Sequence, residues 1–154
     1  MKKFIDFIGI VTALMMFSCV GFFFLPYVEY NGVSQSGWDL INLIMSISKD
    51  MRLLLIWILI LGGPSILCFL AGFFFLQPSI GKQIFTTILC GIAAWFKTVG
   101  YQGTIDIAVK NGIGIGWKLN AIFSLVGLGS SILLIILVAM SKSGNKKKIE
   151  NENL

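Results

Sequence analysis

The chain contains no histidine, and only seven of its 154 residues carry a carboxylate side chain. Without imidazole it lacks the group that most often moves protons near neutral pH and most often ligates zinc. Cysteine is scarce too: Cys19, Cys68 and Cys90 fall inside apolar runs with no C-x-x-C spacing, which excludes a disulfide framework and a paired-thiol redox motif. Each reads as a small buried apolar side chain. Charged residues are 12% of the chain, against roughly 25% in an ordinary soluble domain. The string "GIGIG" at 112–116 has no Lys-Ser/Thr after it, so it is not a phosphate-binding loop. No reaction class emerges, and the expectation is a protein that is not an enzyme, with no catalytic, cofactor or metal site.

What the chain has instead is hydrocarbon. Apolar residues make up 56% of it and the mean hydropathy is +0.90. Four runs, 4–25, 53–76, 80–101 and 119–140, each reach the roughly 20 residues a membrane helix needs. The first is stopped by Pro26 and reads as an anchor rather than a signal peptide, being longer than a signal core and lacking an A-x-A site. The second carries "GGPS" at 62–65, which predicts a bend, because proline removes a backbone donor and clashes with the preceding turn. The third contains Lys97, whose ammonium is expected to reach the headgroups from beside Trp95 and Tyr101. Small-x-x-x-small pairs, Gly9/Ala13, Cys68/Gly72, Thr87/Gly91 and Gly127/Ser131, offer close helix contacts.

Two connecting segments share a grammar: "YNGVSQSGW" and "KNGIGIGW" each place Asn-Gly a few residues ahead of Gly-Trp. Asn-Gly suits the positive φ angles of a two-residue hairpin turn, and alternation in "TIDIAVK" before the second predicts a strand. Because a lone hairpin is marginal in water, the two are expected to pair as one four-stranded sheet. Asp39 is placed to cap an amphipathic helix in which Leu40, Leu43, Ile44 and Ile47 recur at helical spacing.

The fold class expected is an all-α membrane bundle of four transmembrane helices, with a small extracytoplasmic β-sheet of two hairpins between helices 1–2 and 3–4. Residues 1–140 form this single domain with outer loops at 26–52 and 100–118, and 141–154 a disordered basic cytoplasmic tail. With both termini on one side, that side holds Lys2, Lys3, Lys82, Lys142, Lys146, Lys147 and Lys148. The other holds Lys49, Arg52, Lys97, Lys110 and Lys118, so the positive-inside preference puts the termini in the cytoplasm of a cell-membrane protein. Basic residues flanking spans report lipid contact and orientation rather than nucleic-acid binding.

The stretches "LPYVEYNGVSQSGWDL" and "GIGIGWKLNAIFSLVG" resemble those of small, largely uncharacterised bacterial tetraspan proteins. The architecture is similar to that of claudin-like proteins, without their loop cysteines or their Trp…Gly-Leu-Trp signature. The resemblance implies no activity. The function expected is contact between the extracytoplasmic loops and another membrane or envelope protein, or a second copy of the chain. Tyr27, Glu29, Trp38, Asp106 and Trp117 are its exposed residues, and Asp6 and Lys97 are the charges within spans. A small transporter or channel subunit, and a bacteriocin-type self-immunity protein, are the alternatives.

Overall fold

A computed structural model describes the backbone of residues 2–30, 32–47, 50–104 and 112–152, and side chains within 2–29, 32–47, 50–98 and 112–143. Helix α1 (Lys2–Phe22) ends short of Pro26, which has no N–H to continue a ladder. Its exit is tightened by bonds from the N–H groups of Phe23, Phe24 and Leu25 to the carbonyls three residues earlier. Strand β1 (Pro26–Tyr30) then turns at Gly32, with φ at 80°, and returns as β2 (Val33–Ser36). Tyr30 opposite Val33 encloses a two-residue turn, as the sequence predicts.

Ser36, rather than Asp39, is the N-cap of α2 (Gly37–Ile47). Its Oγ accepts from the Asp39 N–H at 3.1 Å and donates to Asp39 Oδ2 at 2.7 Å, while that carboxylate also accepts from the Ser36 N–H at 2.9 Å. This reciprocal capping box holds the Asp39 carboxyl below the usual carboxylate range. Asp50 caps α3 (Met51–Leu61), accepting from the Arg52 N–H at 2.9 Å. Helix α4 (Gly63–Phe75) follows at once, turned from α3 by 50° at the Gly-Gly-Pro expected to bend it.

Helix α5 (Ile80–Thr104), β3 (Gly112–Ile113) and α6 (Ile115–Glu152) complete the chain. The alternating segment expected as a strand from residue 104 begins inside α5, and its remaining residues, Asp106 included, lie outside those described. Among the described residues the sheet has three strands, in the order β2-β1-β3, all antiparallel. The first strand of the expected second hairpin lies outside the described residues apart from Thr104, so what is corrected is its returning strand: β3 has two residues because the segment expected to prolong it instead opens α6 at Ile115. The two loops do meet, since Val28 and Glu29 of β1 pair with Ile113 and Gly112.

The glycines of the two Gly-Trp pairs have one shared purpose. A Cβ on Gly37 would stand 2.5 Å from the Phe23 ring, and one on Gly116 2.6 Å from the Phe22 carbonyl oxygen. Both segments are thus pressed against the end of α1. A Cβ on Gly114 would overlap the Pro26 carbonyl oxygen, and its N–H donates to the Tyr27 carbonyl at 2.9 Å. Close backbone approach accounts for "GIGIG".

Helix α1 packs on α4 and α6, and α5 lies between α4 and α6, closing a four-helix ring. Its core holds Ala13, Met16, Cys19, Cys68, Ala71, Phe75, Cys90, Ala93 and Leu134, all three cysteines buried as expected. Gly72 faces the Phe17 ring and Gly127 faces Met16 and Cys90, so these small residues do admit close neighbours. Thr87 and Ser131 hydroxyls tie α5 to α6 at 2.8 Å. Among the described residues two helices, Lys2–Phe22 and Ile115–Ser143, are long and apolar enough to cross a membrane, or three segments are if the bent α3–α4 pair counts as one. The tail expected to be disordered is helical through Glu152, its Lys and Glu residues being good helix formers that simply prolong α6.

Candidate functional site

A second core joins the sheet to the bundle, built from Phe23, Tyr27, Val28, Ile41, Leu61 and Trp117. It encloses a polar cluster centred on Lys97. A bulge between Pro26 and Val28 turns Tyr27 off the outward face and down into the helices, where it is fully buried. Tyr27 meets Phe23 and Trp117 edge-on, with ring centroids 5.6 Å and 5.4 Å away.

The Lys97 ammonium donates to Tyr27 Oη at 3.2 Å and to the Leu61 carbonyl at 3.2 Å. It also lies 3.9 Å from the centre of the Trp117 ring and 4.4 Å from that of Tyr27. Two aromatic faces and the carbonyl end of α3 thereby supply the negative potential a buried cation needs. The bend is what frees Leu61: at the end of α3 its carbonyl turns to the lysine, and the helical ladder resumes one residue on, with the Ile66 N–H donating to the Gly62 carbonyl. Trp117 is held in turn by a bond from its Nε1–H to the Lys97 carbonyl at 3.0 Å.

Asn120 of α6 completes the cluster. Its amide nitrogen lies 3.1 Å from the Cys19 carbonyl oxygen, 3.1 Å from Tyr27 Oη and 2.5 Å from Ser65 Oγ. The Cys19 carbonyl can only accept, so it sets the amide orientation and leaves Oδ1 buried without a donor. Tyr27 Oη and Ser65 Oγ are 3.3 Å apart. Helices α1, α3, α4, α5 and α6 and strand β1 thus all reach one point. Burial pushes the Tyr27 phenol up to about 12, although its bonds to Ser65 and Asn120 pull the other way.

Of the seven residues singled out by sequence, the structure brings together Tyr27, Lys97 and Trp117. The expectation that Tyr27 and Trp117 are exposed is corrected: they are 0% and 4% accessible, because the sheet lies flat on the bundle. Lys97, expected to reach the headgroups, is 2% accessible and turns inward to the Leu61 carbonyl. Glu29 is exposed on the outward face, Trp38 is 49% exposed on α2, and Asp6 is exposed near the far end of α1. Ser65 and Asn120 were not singled out. Their signal was their position, a hydroxyl beside the bending proline and the one amide in the fourth apolar run.

Among the described residues no three potential metal-ligating side chains come together. The cluster offers an amine, two hydroxyls and an amide, with the Cys19 and Cys68 thiols the other titratable groups facing Lys97. That set suits tethering a sheet to a bundle or binding a polar group more than bond-breaking chemistry. No family model, curated protein or solved structure matches the chain.

Proposed function

We propose that this is a four-span cell-membrane protein, with cytoplasmic termini, that acts by contact through its extracytoplasmic sheet. Helix α5 is the remaining span; Gln83, Thr86 and Lys97 lower its hydropathy but are buried inside the ring rather than facing lipid, and half-buried Thr87 is tied to Ser131. The observation that carries the reading is the cross-strand row Glu29, Ser34 and Gly112. All three are exposed, on the opposite face from Val28 and Ile113, while Tyr27 and Trp117 anchor the sheet below. A polar face held rigidly in this way presents a preorganised surface to another membrane or envelope protein.

Photocrosslinking from position 34 in native membranes tests it. A discrete adduct that disappears with Glu29→Lys, while the folded fraction is unchanged, is the expected result. Adducts that are absent, or identical from lipid-facing position 14, would sink the reading. A second reading, a small transporter or channel subunit, is favoured by one observation: a lysine buried beside a broken helix, since ionisable groups within spans tend to mark pathways. Flux in reconstituted vesicles that is lost with Lys97→Met would support that alternative.

A further inference from the structure

Helix α2 is a surface with three distinct strips. At 3.6 residues per turn, Asp39, Asn42 and Ser46 fall on one line, and all three are exposed. On the opposite side Gly37 and Ile41 are buried and Leu40 and Ile44 half-buried, packed with Trp57, Ile58 and Leu61 of α3. Between these strips lie two apolar flanks. Trp38 and Met45, 49% and 44% exposed, are on one side of the polar line; Leu43 and Ile47, 43% and 74% exposed, are on the other.

The apolar arc is therefore wider than the bundle covers, and it is left over symmetrically. A docked protein would cover one flank, whereas a surrounding apolar medium covers both. Trp38 also continues the exposed apolar exterior of the first span, its ring centroid 6.4 Å from that of Phe24, which is 60% exposed. The only charge on α2, Asp39, is already engaged by Ser36, so the helix has no ionic group to spend on headgroups.

We propose that α2 lies in the outer headgroup layer as an interfacial helix, both apolar flanks in acyl chains and the Asp39–Asn42–Ser46 line toward water. Its ligand is the zwitterionic phospholipid interface, recognised by apolar burial with an indole at the boundary rather than by charge. This requires the bundle to sit in a bilayer and is independent of what the sheet recognises.

The test uses the full chain in phosphatidylcholine vesicles, with a nitroxide placed singly at 38, 39, 42, 43, 45, 46 and 47. Accessibility to oxygen, which partitions into lipid, is compared with that to a water-soluble nickel chelate. Positions 38, 43, 45 and 47 are expected to favour oxygen and 39, 42 and 46 the chelate, alternating with the helical repeat. Chelate reaching all seven alike overturns the proposal in favour of a helix in water. Neither probe reaching one flank overturns it in favour of a protein or second copy docked there. Positions 14 and 34, on the lipid-facing side of α1 and the outward sheet face, serve as lipid and water references; a position 14 open to the chelate would show instead that the bundle is not embedded. Circular dichroism of each labelled chain confirms that α2 is still formed.

Discussion

At the scale of single residues, the buried cluster sets opposing terms against one another. Lys97→Met deletes bonds to Tyr27 and Leu61 and two cation–π contacts, but it also removes a desolvation penalty of several kcal/mol for a buried ion, so the terms largely cancel. Asn120→Leu relieves only the one undonated Oδ1 and gives up every bond of the amide nitrogen. It strands the Cys19 carbonyl and is expected to cost about 1–3 kcal/mol, more than Lys97→Met, in detergent unfolding measurements. The reverse ranking would show that the fold requires the ammonium itself. Tyr27 supplies a spectroscopic check. Of the three tyrosines, Tyr27 should give an absorbance step near its raised pKa of about 12, and Tyr27→Phe should remove that step alone. Because the folded value is raised, the stabilisation is fully present below the ordinary tyrosine pKa of about 10 and is lost as pH rises through the folded one.

At the scale of elements, the capping box and the glycine contacts decide where helices begin. Ser36→Ala is expected to weaken α2 by about 0.5–2 kcal/mol, read as faster amide exchange over α2 than over α3. Asp39 has a lowered pKa, so its support is present above the ordinary carboxylate range and fades as pH falls through the folded value; Asp39→Asn should abolish that pH dependence. Gly114→Ala forces a methyl onto the Pro26 carbonyl and should cost about 1–3 kcal/mol, separating β3 from β1 while leaving the helices formed. Equal loss of helix and sheet signals would contradict this order of effects. Much at this scale was legible: the Asn-Gly turn and the bend at Gly62–Gly63–Pro64 follow from local stereochemistry. The cap of α2 was misplaced by three residues because Ser36 and Asp39 bond reciprocally, and either alone reads as a cap. The short β3 was not legible, since "IGIGW" alternates like a strand yet opens a helix once docked on α1.

At the scale of the whole molecule, convergence of both loops on one sheet places Ser34 and Gly112 at the same end, away from the Phe75–Ile80 turn. Single cysteines at 34 and 112 are expected to react with an impermeant maleimide added outside intact cells, and one at 142 only after lysis. Reaction at 34 and 112 from opposite sides would contradict the shared sheet. Composition and run length by themselves determined an apolar helical protein, because burying so much hydrocarbon surface without lipid or a helical core is not an available option for a chain with so few charges. Local sequence likewise determined the first hairpin and the broken helix. What the tertiary structure alone decided is which polar residues face inward. Tyr27, Ser65, Lys97 and Asn120 are far apart in sequence, and each by itself looks like a surface group or an isolated blemish in an apolar run. Only when six elements close on one point do their donors and acceptors find each other, since pairing between distant segments depends on packing geometry that no local pattern carries.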